Sequence, residues 1–358
     1  MATPTSAESR LHARGFKKTA EWGTALALGA LNEVLVVAPG FSGLDVPAQP
    51  IDPALESDTP FVKKSELLQI PPVDIAVPVR LRYEMGAIGS AIAMVYGTAG
   101  VPTKVSTTKA YKHIFQWKDE ISGLFGVYAE ERPSKIFEAP SVKPYRVEFN
   151  FSNGILMANV GMRCNNVIDN STVNTATQVD ALTLPATFFG AGVQAMFAHA
   201  AVKMNAESGA DVAEETALVL SDFNMVFERP LEAGQHVAGS NTIIEPLEEG
   251  QSGPGITVTL NFPRMSTVNN AFFQTFLAGT EQKLLIKLTG SLIEETYYHD
   301  LAFYFPRMKM QNPNYPVEEI VKSGLTLQAE QAAAAPTGMT YLRPYLEIIN
   351  QQTTDYLA

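Results

Sequence analysis

Alternation of apolar and polar residues dominates this chain, with β-branched and aromatic side chains at the repeating positions. That pattern is typical of half-buried β-strands. Asn153-Gly154 stands between two apolar runs and predicts a tight hairpin. The runs that predict strands are Leu26–Val37, Ile75–Met85, Tyr111–Lys118, Gly123–Glu130, Lys143–Phe151, Ile155–Cys164, Leu218–Glu228, Ile256–Phe262, Lys283–Glu294, Leu301–Met310, Leu325–Ala329 and Tyr341–Ile348.

Helical spacing is confined to short pieces, of which Ala87–Tyr96 and Val268–Leu277 are the clearest. Each lies between two alternating runs and stops at a glycine, Gly97 and Gly279, as expected because glycine adopts positive φ without steric cost. Each block also follows a strand and a long polar loop. The blocks therefore predict an internal duplication of one β-rich unit. The alternative is a chance match of strand, helix and strand.

The length supports two units, because single hydrophobic cores stop growing at roughly 250–300 residues and this chain has 358. We predict a mainly β protein with a first domain at 1–181, a connection at 182–215 and a second domain at 216–358. Within the connection, the alanine-rich stretch Val193–Met204 has a composition that also suits a helix.

Composition is that of a globular protein, with 46% hydrophobic and 18% charged residues and a mean hydropathy of +0.02. We find no uninterrupted apolar run of about 18 residues, so we expect no membrane-spanning segment. The first residues, MATPTSAESRLHARGFKK, are polar and mixed in charge. They do not resemble a signal peptide, so we expect synthesis in a cytoplasm without secretory export.

Candidate catalytic chemistry is weak in this sequence. The single cysteine, Cys164, suits a small apolar residue near a strand end better than a nucleophile or metal ligand. The five histidines are scattered without ligand spacing, and no phosphate-binding loop or G-x-S-x-G elbow is present. Adjacent acids such as Glu294-Glu295 suit a solvated surface better than a glycosidase pair. We therefore expect no enzyme activity, no cofactor and no metal.

The net charge of −11 argues against tight binding to nucleic acid, and it is unevenly distributed. Residues 1–180 hold 17 basic and 18 acidic residues, whereas residues 181–358 hold 9 and 19. One hypothesis is that the acids of the second half line a channel and keep a polyanion off its wall. The alternative is that they only solubilise an outer face. The candidates are Glu245, Glu248, Glu249, Glu294 and Glu295.

The first long loop, Pro39–Pro72, is rich in proline and acid but contains a few apolar side chains. Loops of this length in compact domains are functional or disordered. We predict that the apolar residues Phe41, Leu44, Ile51 and Phe61 dock on a neighbouring molecule, with an unpartnered excursion as the alternative.

Two stretches resemble the major tail tube proteins of long-tailed bacteriophages. The opening RGFKKTAEWGTALALGALNEVLVV, Arg14–Val37, is similar to the family's first strand, which follows a glycine, a charged stretch and an aromatic-Gly-Thr step, here Trp22-Gly23-Thr24. The late stretch Glu281–Glu319 is similar to the family's closing strands, with Phe303–Pro306 at the apolar-x-apolar-Pro step.

The resemblance implies tail-tube-like β-sandwich domains, each with one flanking short helix and a long loop. Six such domains close a ring, and neighbouring sheets join into an inner barrel. A long loop, here the one with Phe41, Leu44, Ile51 and Phe61, reaches to the adjacent ring, and rings stack into a tube around the tape measure protein. If both halves are tube domains, three chains form a pseudo-six-fold ring, which we prefer over a true hexamer. Further implied partners are the tail terminator, baseplate or tip proteins, and DNA in transit, with no membrane partner. The implied location is the virion, after synthesis in the bacterial cytoplasm.

Two other classes of function remain open at this point. One is a β-rich carbohydrate-binding or decoration protein of a phage tail, which would present aromatic residues for stacking on sugars. The other is a hydrolase whose site is assembled from residues distant in the sequence.

Overall fold

The structure is a computed structural model that describes residues 13–29, 33–38, 41, 43–44, 70–132, 135–184, 186–190, 192–249, 255–264, 267–311 and 323–358. The described residues are mainly β, as the alternating pattern predicts. Their strands are β1 Arg14–Lys18, β2 Val73–Arg80, β3 Thr103–Lys104, β4 Tyr111–Gln116, β5 Gly126–Glu131, β6 Ile136–Ser152, β7 Ile155–Cys164, β8 Ala200–Ala206, β9 Asp222–Glu228, β10 Gly255–Phe262, β11 Gln282–Glu294, β12 Tyr297–Met310, β13 Ser323–Glu330 and β14 Tyr345–Asn350.

Three α-helices occur in the described part of the chain: α1 Ala87–Tyr96, α2 Ala176–Asp180 and α3 Thr267–Leu277. The prediction for α1 is confirmed, and α3 begins one residue earlier than predicted. The two expected glycine stops are also confirmed, because Gly97 and Gly279 have φ of 98° and 63°.

The strands form one antiparallel sheet in the order β1-β5-β6-β9-β10-β13-β12-β14-β4-β3. In addition β7 pairs with β6, β2 with β7, β11 with β12, and β8 with β11. The predicted hairpin turn is confirmed, since Asn153 and Gly154 both have positive φ between β6 and β7. One apolar core draws on both halves of the chain, including Val77, Phe149, Phe227 and Phe303.

The two halves contain the same arrangement of five strands. In the first half β1 pairs with β5, β5 with β6, β6 with β7, and β7 with β2. In the second half β8 pairs with β11, β11 with β12, β12 with β13, and β13 with β10. Thus β2, which precedes α1, pairs with the last strand of its set, β7. In the same way β10, which precedes α3, pairs with the last strand of its set, β13.

The registers of these pairs also correspond. Tyr128 faces Ala139 and Gly126 faces Val142, with an irregularity between them. In the second half Leu284 faces Phe305 and Gln282 faces Met308, with an irregularity at the same place. The pairs Asp74–Arg163 and Lys143–Arg163 have counterparts in Thr257–Gln328 and Lys309–Gln328.

The segment before β2 matches the segment before β10. Leu35 N donates to Arg14 O, and Ala38 N donates to Pro78 O. The corresponding bonds are Leu218 N to Val202 O and Ser221 N to Asn261 O. The hairpin of β3 and β4 is an insertion in the first half, between α1 and β5.

Strand pairs also join the halves to each other. β6 pairs with β9 at Arg146–Phe149, and the closing strand β14 pairs with β4 of the first half. β8 lies within the predicted connection 182–215 and pairs with β11. Because strand pairs cross between the halves, the domain boundaries 1–181, 182–215 and 216–358 stay a prediction.

Several strand predictions were wrong in detail. Within Leu26–Val37, the described residues contain a single bridge, Gly15 to Val34, because this segment follows the outer edge of β1. The stretch Val193–Met204 is a short 3-10 turn, Phe197–His199, followed by β8, since β11 offers it a partner strand. β14 begins at Tyr345, four residues later than predicted.

Candidate functional site

An extended candidate surface in the described part of the chain is one face of the central strands. Strands β2, β7, β6, β9, β10 and β13 lie side by side, and alternate side chains point away from the core. We call these side chains the polar face: Asp74, Ala76, Pro78, Arg80, Met157, Asn159, Arg163, Arg146, Glu148, Asn150, Asp222, Asn224, Val226, Glu228, Thr257, Thr259, Asn261, Thr326, Gln328 and Glu330.

The residue types of the polar face follow from the strand sequences. In β10, ITVTLNF places Thr257, Thr259 and Asn261 at alternate positions, while Val258 and Leu260 are buried in the core. Cross-strand neighbours share a face, so Thr259 lies between Asn224 and Thr326. The result is a surface in which amide and hydroxyl groups separate the charges.

Charges on the polar face are paired locally. Arg163 Nε and Nη2 each donate to Asp74 at 2.8 Å, and this hydrogen bonding raises the pKa of Arg163. Arg146 Nη2 donates to Glu148 at 2.9 Å, and Asn224 Nδ2 donates to the same carboxylate at 3.1 Å. The five acids of the polar face outnumber its three arginines. Such a surface binds water and carries little free positive charge.

A second feature is the contact between the halves made by residues 231–249. Trp22 Nε1 donates to Ile243 O at 2.9 Å. Glu245 Oε1 accepts from Lys143 Nζ at 2.6 Å and from Gly123 N at 2.8 Å. Because Lys143 is fully buried, its charge depends on this carboxylate for compensation.

Arg229 connects this contact to the C-terminal end of α1. Its guanidinium donates to Val95 O, Tyr96 O and Lys118 O, at 2.6, 3.1 and 2.7 Å. It also pairs with both oxygens of Glu248, at 3.0 and 2.9 Å, and lies 3.8 Å from the ring centre of Trp117. Burial lowers the pKa of Arg229, while Glu248 opposes that shift. No sequence motif marked Arg229 or Lys143; only their partners reveal their roles.

The five predicted lumen acids lie outside the six strands of the polar face. Glu245 and Glu248 are engaged in the ion pairs just described. Glu249 N donates to Pro230 O beside them. Glu294 accepts from Lys109 N at 2.8 Å, and Glu295 forms the β11–β12 turn with φ of 56°. Their facing a lumen stays a prediction.

The predicted assembly residues are described only in part. Leu44 is 3% exposed within the chain's own core, and its N–H donates to Glu130 Oε1 at 2.9 Å. Phe41 packs on that core, with the guanidinium of Arg14 5.3 Å from its ring centre. Burial of these two side chains therefore needs no neighbouring molecule. Ile51 and Phe61 lie outside the described residues.

One buried cluster resembles a catalytic triad in composition. His299 Nε2 lies 3.2 Å from Glu84 Oε1, and its Nδ1 lies 3.2 Å from Ser291 Oγ. However, Nδ1 also lies 3.0 Å from the Ser291 carbonyl oxygen, an acceptor. The carbonyl competes with the serine hydroxyl for Nδ1, and both Glu84 and His299 are buried inside the protein. The cluster ties β11 and β12 to the turn before α1.

The remaining candidate chemistry is structural. Cys164 is buried at the end of β7, as predicted, and burial raises the pKa of its thiol, so the reactive thiolate is suppressed. Among the described residues, no group of three or more His, Cys, Asp or Glu side chains is placed to hold a metal ion. None of the described helices is long and apolar enough to cross a membrane.

Comparison with known proteins does not identify a family for this chain. Neither the protein-family models nor the curated protein sequences contain a match to it.

Proposed function

We propose that this chain is a structural virion protein that assembles into stacked rings and forms the tail tube of a long-tailed bacteriophage. The observation that carries the proposal is the edge-to-edge joining of two like units by β6 and β9. Each half has the same strands in the same register, so each is proposed to be a tail-tube-like β-sandwich domain with one flanking helix.

The β6–β9 pair suggests how a ring would grow. A sheet that continues from one unit into the next leaves an unsatisfied edge at either end, and exposed edges invite pairing with another chain. If copies join as the halves do, the contact is head-to-tail, and such contacts close into rings when the rotation allows. Six units then require three chains.

The polar face supports a role as the wall of a conduit. Basic side chains on a channel wall would bind the DNA phosphates with release of counterions. On the polar face, Arg146 and Arg163 are already paired with carboxylates, and the acids are in excess. Amide and hydroxyl groups keep such a wall hydrated. The protein would therefore act by shape and surface, without catalysis or a cofactor.

The proposal places the protein in the virion, with itself as its main partner. The tape measure protein would occupy the tube before DNA, and tail terminator and baseplate or tip proteins would cap its ends. These partners rest on the resemblance of Arg14–Val37 and Glu281–Glu319 to tail tube proteins.

Light scattering and negative-stain electron microscopy of the purified full chain test the proposal. We expect particles of three times the chain mass of 38.8 kDa, with six-fold appearance in projection and stacking into tubes. Short duplex DNA should show no salt-sensitive binding to these tubes, because acids outnumber arginines on their wall. A protein that stays monomeric at every concentration, or tubes that bind DNA in low salt, would contradict the proposal. A ring of six chains would mean that only one half forms the ring.

A further inference from the structure

The two halves correspond, but they differ in whether a further segment of the chain covers their surface. On the first half, residues 231–249 cover a surface formed by Ile121, Lys143 and Arg163. Ile121 is 1% exposed, and its N–H donates to Glu248 Oε1 at 2.9 Å. Lys143 is paired with Glu245. Arg163 Nη1 donates to Leu231 O and Glu232 O, at 3.3 and 2.6 Å.

The strand registers identify the matching positions on the second half. Lys143 faces Arg163 as Lys309 faces Gln328. Thr19 N donates to Phe125 O as Glu207 N donates to Glu281 O, which aligns the chain just before β5 with the chain just before β11. Gly123 and Gly279 then coincide, and both have positive φ. Two residues before each of them stand Ile121 and Leu277.

These matching positions are uncovered in the described part of the chain. Leu277 is 61% exposed, against 1% for Ile121. Lys309 and Gln328 are exposed, whereas Lys143 is fully buried and Arg163 is half-buried. We call Leu277, Lys309 and Gln328 the bare face. Gln328 lies at the end of the polar face on β13, as the covered Arg163 does on β7, so this end belongs to the contact and the rest of the polar face to the proposed wall. The bare face combines an apolar side chain, a cation and an amide. Its covered counterpart on the first half has an apolar side chain and a lysine at the same positions, and an arginine where the bare face has the glutamine.

In the same chain, the strand that follows the equivalent segment lies far from the bare face. The segment that covers the first half follows β9 and precedes β10, and by the same correspondence its equivalent precedes β2. β2 and β12 lie at opposite ends of the order β2-β7-β6-β9-β10-β13-β12. Six strand spacings separate them, roughly 28–29 Å along the sheet.

We infer that the bare face binds the first half of a second copy of this chain, through the segment that precedes β2. Lys143 is met by a carboxylate, and that segment carries Asp45, Asp52, Glu56, Asp58 and Glu66, so Lys309 would also be met by an acid. Leu277 would be buried as Ile121 is. The contact is head-to-tail, since one copy gives its first half and the other its second. This inference rests on the proposed ring and names the surface that joins its copies.

Charge and polarity changes at the bare face test the inference. In the full chain, the double substitution Leu277→Asp with Lys309→Glu should weaken self-association at least about tenfold by sedimentation. The matched control is Leu292→Asp with Lys135→Glu, since both side chains are exposed beside hairpin turns and away from the end strands of the sheet. The control should assemble as the wild type does, and both double variants should keep the wild-type far-ultraviolet circular dichroism.

A second measurement does not depend on the folding of a variant. A photo-crosslinking amino acid at position 309 should link to peptides from residues 39–72 of another copy. Links confined to one chain, or to the second half of another copy, overturn the inference, as does normal assembly of the Leu277→Asp, Lys309→Glu variant. In both cases rings and tubes can still form, and the tube proposal stands. Conversely, rings that depend on Lys309 but never stack support the inference and overturn the tube.

Discussion

At the residue scale, a few charged side chains join the halves. No pattern in the sequence around Arg229 suggests a role for it. In the structure, Arg229 contacts the end of α1, Lys118 and Glu248. Removal of the guanidinium would take a donor from Val95 O and Lys118 O and the ion pair from Glu248, while Tyr96 O would keep Lys118 N. Buried donors and acceptors without partners cost more than the hydrogen bond itself contributes.

We expect Arg229→Ala to lower the free energy of unfolding by about 3–5 kcal/mol, because Val95 O and Lys118 O lose this donor and Glu248 loses its ion pair. Chemical denaturation followed by tryptophan fluorescence measures the effect, with Trp117 3.8 Å from the guanidinium as reporter. Arg343→Ala is the control. Its partner Asp119 is largely exposed, so a change within about 1 kcal/mol is expected. Equal effects of the two substitutions would refute the role of Arg229.

At the element scale, α1 shows how a short helix becomes core. Its sequence AIGSAIAMVY is apolar on most sides, and nine of its ten residues are buried. The last residues of the chain complete its cover. The ring of Tyr356 lies against Gly89, where an added Cβ would come within 2.2 Å of it, and Asn350 Nδ2 donates to its hydroxyl at 2.8 Å.

Tyr356→Ala should therefore destabilise the protein by about 3–4 kcal/mol, through loss of a buried ring and the cavity left over α1. Thermal or chemical unfolding measures the change. Tyr298→Ala, at a half-exposed ring on the β11–β12 hairpin, should cost under about 1 kcal/mol. If Tyr356→Ala is as mild as its control, the chain end is not part of the core.

At the scale of the whole molecule, the two like units are interdependent. β4 needs β14, β6 extends into β9, and α1 is covered by Arg229 and Tyr356 from the second half. A repeated structural unit does not have to fold independently when the other unit supplies part of its core. The same reasoning leads to the bare face, which stays exposed in the described part of the chain.

We expect the fragment 1–181 alone to lack a cooperative unfolding transition, because it has lost the strands and side chains that complete its sheet and cover α1. Co-expression with 182–358 should restore a soluble complex with far-ultraviolet circular dichroism like that of the intact chain. A cooperative transition of 1–181 by itself would show that the first half is an autonomous domain.

The sequence by itself determined the elements in which local and global preferences agree. Alternation identified most of the strands, Asn153-Gly154 identified a hairpin turn, and Gly97 and Gly279 identified two helix ends. It also predicted Cys164 as a buried structural residue. These features depend on side-chain period or on backbone conformations that few residues adopt, and both can be read locally.

The tertiary structure alone decided which strands meet and which charges are buried. β1 and β8 were missed because their short sequences become strands only beside β5 and β11. The sequence alone indicates only that Glu245 and Glu248 are surface or lumen acids. The structure pairs them with Lys143 and Arg229. The correspondence of the halves lies in hydrogen-bond registers, which depend on residues far apart in sequence. Pairing of distant residues is a property of the folded chain, and no local pattern encodes it.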